Sequence, residues 1–215
     1  MDQKIMDIIK QTGIVAILRG ISKEQVLPTV EALKKAGVSA VEITLNTSNA
    51  LELIRQVSKS FGNDILVGAG TVTTVAQVDE AVDAGAEFML APNFDKAVVT
   101  AAKRHGKFMV PGALTPTEIA AAYQAGGDII KVFPISILGP QYIKDLLGPY
   151  DTMPLMAVGG ISLANTSSFI KAGAFAVGVG GSLVSKEHLA INNYQGIFNL
   201  AKQFLAEVQR GKNNL

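Results

Sequence analysis

Short apolar runs alternate with longer amphipathic stretches from one end of this chain to the other, and the alternation predicts strands and helices in turn. Apolar runs at 14–19, 40–45, 65–70, 87–91, 107–111, 128–133, 155–158 and 174–179 read as eight strands, near-continuously hydrophobic as strands covered on both faces are. Between them lie stretches with helical spacing and helical punctuation. Ser22 with Gln25 resembles a capping box ahead of the stretch ending at Ala36, and Thr115-Pro116 with Glu118 supplies an N-cap, an N1 proline and an early acidic residue. Tyr194, Ile197, Phe198, Ala201, Phe204, Leu205 and Val208 form the apolar face of a last helix. Ile5, Ile8 and Ile9 predict a short helix ahead of the first strand, covering one end of the fold.

A loose repeat organises these elements. Ala36-Gly37, Ala84-Gly85, Ala125-Gly126 and Ala172-Gly173 each close a helical stretch just before an apolar strand, at intervals of 48, 41 and 47 residues. Each interval holds two strand and helix units, so the chain reads as alternating βα architecture. Eight units predict an α/β fold, a (β/α)8 TIM barrel formed as a single domain over residues 1–215 with a short N-terminal helix. A doubly wound open sheet is the alternative. For dinucleotide binding it would want GxGxxG after its first strand, where this chain has Arg19-Gly20-Ile21-Ser22.

Composition narrows the function classes. With 215 residues and 48% hydrophobic content the chain can bury one substantial core. A formal net charge of +1, from 19 basic and 18 acidic residues, gives no field suited to nucleic acid, and no basic tract replaces it. The chain has no cysteine, which removes disulfides, thiolate nucleophiles and sulfur metal sites. No apolar segment is long enough for a signal peptide or a membrane span, so a cytoplasmic protein without a membrane partner is expected.

In a barrel of this kind function belongs at the carboxyl ends of the strands. Those ends carry Arg19, Glu42 with Thr44 and Asn46, Gly70 with Thr71, Pro92 with Asn93, Pro111 with Gly112, Lys131, Gly159-Gly160 and Gly180-Gly181-Ser182. Lys131 stands out because it lies inside the apolar run DIIKVFP, in phase with Ile129 and Phe133 and out of phase with Ile130 and Val132. Desolvation lowers a lysine pKa, from about 10.4 toward roughly 7 to 8, so that a useful fraction is free amine and can attack a ketone. A lysine snorkelling from an edge strand is the bland alternative. Glu42 is the second anomaly: it shares a phase with Ala40 and Thr44, while Val41, Ile43 and Leu45 face the other way. Inside a barrel it is either half of a structural ion pair or a tuned acid and base. The glycine clusters at 159–160 and 180–181, after strands seven and eight, fit a backbone-amide cradle for phosphate, although glycine also serves simple tight turns. Arg19 and Thr71 are candidates for binding a carboxylate at the opposite end of a substrate, with Arg19 neutralising Glu42 as the plainer role. His105 and His188 lie away from the strand ends and are expected at the surface, and two distant histidines without cysteine make a poor metal site.

The ordered blocks IVAILRGI at 14–21, AVEITLNT at 40–47, VGAGTV at 67–72, APN at 91–93, PGALTPTE at 111–118, IKVFPIS at 130–136, GPQYIKDL at 139–146 and AVGGI at 157–161 run through nearly the whole chain. Together they resemble the class I aldolases of 2-keto-3-deoxy-6-phosphogluconate, 4-hydroxy-2-oxoglutarate and 2-keto-3-deoxy-6-phosphogalactonate. The resemblance implies a barrel assembled as a homotrimer, with no metal or organic cofactor, that cleaves a phosphorylated 2-keto-3-deoxy sugar acid to pyruvate and D-glyceraldehyde 3-phosphate. It implies that Lys131 forms the Schiff base and that Glu42 is the general acid and base. Arg19 and Thr71 would then hold the pyruvate carboxylate, and Gly159, Gly160, Gly181 and Ser182 would surround the phosphate. Pro92 is also expected among the substrate-binding residues. Asn46 and Val158 stand where many phosphogluconate aldolases have arginine and threonine, which makes the chain look closer to the phosphogalactonate branch. Three rivals remain: an aldolase of unphosphorylated 4-hydroxy-2-oxoglutarate, a phosphosugar isomerase or epimerase working without an imine, and a nonenzymatic phosphometabolite sensor.

Overall fold

The computed structural model describes residues 2–62 and 64–213. Nine strand segments run parallel: β1 (Ile14–Leu18), β2 (Ala40–Thr44), β3 (Leu66–Gly70), β4 (Phe88–Leu90), β5 (Phe108–Val110), β6 (Gly112–Ala113), β7 (Ile130–Val132), β8 (Leu155–Val158) and β9 (Ala176–Val179). Eight of them follow the eight apolar runs, and the ninth, β6, lies just past the fifth run and continues that strand beyond Pro111. The pairing order is β5-β4-β3-β2-β1-β9-β8-β7-β6, so the two segments of the split strand are the two ends of the sheet. Proline has no N–H to donate, but the strand around it keeps bonding. The Asp128 N–H donates to Met109 O at 2.8 Å and the Lys131 N–H donates to Pro111 O at 2.9 Å. The sheet thereby closes on itself, an eight-stranded barrel and not the open sheet held as the alternative.

The helices surround the barrel in the predicted order. They include α2 (Lys23–Ala36), α3 (Ala50–Phe61), α6 (Pro116–Gln124), α7 (Gly139–Leu147) and α8 (Leu163–Lys171). Thr115 caps α6 by accepting from the Glu118 N–H at 3.4 Å, while Glu118 reaches back to the Thr115 N–H at 2.9 Å. At α2 the expected capping box forms between Ser22 and Gln25, with Gln25 accepting from the Ser22 N–H at 3.3 Å, and the Ser22 hydroxyl also donates to Glu24 at 2.8 Å. The Ala-Gly repeat has a backbone cause. Gly37, Gly85, Gly126 and Gly173 have φ of 104°, 92°, 103° and 100°, the left-handed turn that ends a helix and sends the chain into the next strand. The last helix, Tyr194–Lys212, buries Ile197, Ala201, Phe204 and Val208.

Strand alternation divides the apolar residues into two cores. Val41, Ile43, Ile130 and Val132 pack outward under the helices, with Leu45 half-buried against them. Ala40, Leu66, Phe88, Phe108, Ile129, Met156 and Ala176 point inward and fill the lower barrel. The first helix, α1 (Asp2–Thr12), lays Ile5 and Ile9 onto this inner cluster and plugs that end, as the isoleucine spacing predicts. The register levels the inward residues: Ile17 pairs Glu42, Glu42 pairs Gly68, and Gly68 pairs Phe88. No helix among the described residues is long and apolar enough to cross a membrane.

Candidate active site

Lys131 and Glu42 rise from the inner core on strands β7 and β2. Three strands, β8, β9 and β1, separate these two along one arc of the ring, so the side chains face each other across the barrel. Lys131 is 6% exposed and Glu42 1% exposed. Burial pushes the Lys131 ammonium below the ordinary lysine value; Glu42 pulls it partly back up and Arg19 pushes it further down. Burial pushes the Glu42 carboxyl up, against the opposing pull of Lys131 and Arg19. Both groups are thus driven toward their neutral forms. Among the described residues no ion pair joins them, and Glu42 Oε2 is buried without a hydrogen-bond partner. Lys131 Nζ instead sits 4.8 Å from the centre of the Phe133 ring. An amine held there can add to a carbonyl, and a carboxyl held there can carry a proton.

A cavity of about 370 Å³ opens above Lys131. Its walls include Arg19, Gly159, Gly160, Gly181 and Ser182, along with Ile17, Phe133, Val158, Ile161, Gly178 and Gly180. Gly159 and Gly160 have φ of 102° and 69°, and a Cβ at Gly160 would lie 2.7 Å from Ser136 Cβ. Glycine is required there by backbone shape and by space. The Gly160, Ile161, Gly181 and Ser182 N–H groups, all on residues of the cavity wall, donate to no acceptor among the described residues. The Ser182 hydroxyl is already committed, donating to Ile161 O at 2.6 Å, which ties the two glycine turns together. Asn165 braces the first turn from α8, donating to Gly160 O at 2.9 Å and accepting from the Ser162 N–H at 2.8 Å.

Six of the nine residues singled out from the sequence therefore share one cavity or its floor: Arg19, Lys131, Gly159, Gly160, Gly181 and Ser182. Glu42 lies across the ring, outside the cavity walls. Thr71 and Pro92 also sit at strand ends outside these walls; Thr71 has a φ of 60°, an unusual conformation for a β-branched residue. His105 is on the surface as expected, paired with Asp79 at 2.7 Å, but His188 is half-buried, its Nδ1 3.4 Å from Asn193. Among the described residues no group of three or more His, Asp or Glu could hold a metal ion. Sequence reasoning gave no role to Thr47. Its buried hydroxyl accepts from the Gly20 N–H at 2.9 Å and lies 3.1 Å from Thr44 Oγ1, fixing the turn that carries Arg19. A lone threonine after a strand carries no signal of such a contact, which spans 27 residues.

A buried amine whose charge is disfavoured, at the carboxyl end of a closed parallel barrel and opposite a carboxyl whose pKa burial raises, suits the chemistry of a class I aldolase, a carbon–carbon lyase. The comparison with known proteins gives the same class and a narrower grouping: the chain belongs to the aldolase family described as KDPG and KHG aldolase, whose model matches residues 5–200. The 2-dehydro-3-deoxy-6-phosphogalactonate aldolase of Escherichia coli (strain K12) is 38% identical over 172 residues, 79% of this chain and 83% of that protein. A solved structure described as native KDPGal superposes with a TM-score of 0.88 at 33% identity, covering 93% of this chain and 96% of that one. The KDPG aldolase from Legionella pneumophila, solved with pyruvate captured at low pH as a covalent carbinolamine intermediate, superposes with a TM-score of 0.86 at 26% identity over 92% of this chain and 96% of its own.

Proposed function

We propose that this enzyme cleaves a 2-keto-3-deoxy-6-phospho sugar acid to pyruvate and D-glyceraldehyde 3-phosphate through a Schiff base on Lys131. The reading rests above all on one arrangement: a desolvated lysine in a cavity that is also lined by two glycine turns, whose N–H groups at Gly160 and Gly181 donate to no acceptor among the described residues. Unprotonated Nζ attacks the C2 ketone, and Glu42 acts first as the acid, giving its proton to the departing hydroxyl, so that loss of water leaves a protonated imine on Lys131 and a carboxylate at Glu42. The C3–C4 bond then breaks, its electron pair passing into the imine to form an enamine as Glu42 takes the C4 hydroxyl proton. The aldehyde leaves, Glu42 passes its proton to C3 of the enamine, and attack of water on the imine releases pyruvate, restoring the free amine of Lys131 and returning a proton to Glu42. Lysine itself is the electron sink, so no cofactor takes part in these steps. Arg19 at the rim binds the carboxylate, with Thr71 and Pro92 bordering the same end, while Gly159, Gly160, Gly181 and Ser182 hold the phosphate.

The galactonate epimer is the preferred substrate in this reading. Its supports are the 38% identity to a phosphogalactonate aldolase and the presence of Asn46 and Val158 at the strand ends, Val158 in the cavity wall. The test has two parts. Incubation with pyruvate and borohydride should add a pyruvate-derived mass to a peptide containing Lys131, and Lys131→Ala should remove both the adduct and turnover. Absence of an adduct in folded protein would bring forward the phosphosugar isomerase reading. The ratio of kcat/KM for the two epimers then decides the substrate, and faster turnover of 4-hydroxy-2-oxoglutarate than of either would favour the unphosphorylated one.

A further inference from the structure

Gly70, the last residue of β3, pairs with Thr44 in register and shares the inward phase of Gly68. A Cβ built there would lie 2.6 Å from Glu42 Oε2, 2.7 Å from Glu42 Cδ and 2.9 Å from Glu42 Oε1, its three nearest neighbours. The other tight glycines of the barrel serve different ends. At Gly68 the obstacle is the Phe88 ring, at 2.5 Å, and at Gly112 it is the main-chain carbonyl of Pro92. Gly70 is not among the glycines with positive φ, so the backbone does not demand glycine at this position. The three atoms nearest to the missing side chain's position all belong to the Glu42 carboxyl group.

That carboxylate has little else to fix it. Glu42 Oε2 accepts no hydrogen bond, and among the described residues neither oxygen forms an ion pair with Lys131 or Arg19. A buried polar side chain normally takes its orientation from polar partners; here the slot over Gly70 substitutes for them. We propose that Gly70 is a positioning residue, its absent Cβ forming the seat in which the Glu42 carboxylate lies opposite Lys131. This rests on the reading of Glu42 as the group that carries the proton.

Because the obstacle is the far end of a flexible side chain, Gly70→Ala can keep the fold and displace only the carboxylate. Misplacing a reacting group by about 1 Å costs on the order of 10²-fold in rate. Gly70→Ala is therefore expected to lower kcat by about 10- to 100-fold, with the pyruvate–borohydride adduct on Lys131 still formed. Glu42→Asp, shorter by one methylene, withdraws the carboxylate from the added methyl. It should slow the enzyme when Gly70 is present, yet Gly70→Ala/Glu42→Asp should turn over faster than Gly70→Ala alone. Wild-type kcat in Gly70→Ala, or a double variant as slow as the product of the two single effects, overturns the proposal. Loss of the adduct in both Gly70→Ala and the double variant would mean a packing role and overturns it equally. Glu42→Gln separates the two ideas: full activity in that variant defeats the reading of Glu42 itself, whereas a slow Glu42→Gln beside a normal Gly70→Ala defeats the seat alone.

Discussion

Lys131 and Glu42 were legible from the chain because each is a polar residue in phase with inward apolar positions, and burial forces such a residue to justify itself. The same burial has a cost visible in the pH dependence of stability. Glu42's pKa is raised in the folded protein above the ordinary 4.5. Below about pH 4.5 it is protonated whether the chain is folded or not; as pH rises further the unfolded chain ionises first, and the folded state loses ground. Glu42→Gln should accordingly unfold at higher urea than the wild type at pH 7, with the advantage gone below about pH 4.5, while proton transfer slows by roughly 10² to 10⁴. An advantage that grew on acidification would mean that Glu42 is held as a stabilising anion. The contacts of Thr47 with Gly20 and of Ser182 with Ile161 were not legible, since a hydroxyl's partner is set by which distant turn the fold brings beside it.

At the scale of elements, the eight strands and the ends of their helices could be read because local chemistry fixes them: apolar runs for the strands, and Ala-Gly pairs whose glycine adopts a left-handed turn. The split of the fifth strand was not readable. Pro111 lies within an apolar run, and only the neighbouring strands show that it interrupts the ladder without opening the barrel. The glycine turns after β8 and β9 differ in a way that permits a clean test. A side chain at Gly160 would collide with Ser136, but a Cβ at Gly181 meets nothing within 4 Å, and its φ is not positive. Gly181→Asp should therefore fold normally and place a negative charge beside the phosphate cradle. KM for the phosphorylated substrate should rise at least about tenfold, one step of roughly 1.4 kcal/mol, with pyruvate adduct formation unchanged. Equal weakening toward pyruvate would show that the turn serves both ends of the substrate.

For the molecule as a whole, periodicity announced eight strand and helix units, but closure of the ring depends on one split strand bonding to β4 through β5 and to β7 through β6, which no local pattern records. Assembly is likewise a property of surfaces. The trimer that we propose from the family resemblance predicts a solution mass of about three times the 22.6 kDa chain by light scattering, and a stable 22.6 kDa species would refute it. The plug formed by Ile5 and Ile9 has a kinetic meaning. With the lower end stopped, the barrel is a cul-de-sac: whatever is fastened deepest must enter first in synthesis and leave last in cleavage. Pyruvate, tethered to Lys131 on the floor, should queue behind the phosphorylated aldehyde at the door, so the two products come away in a fixed sequence.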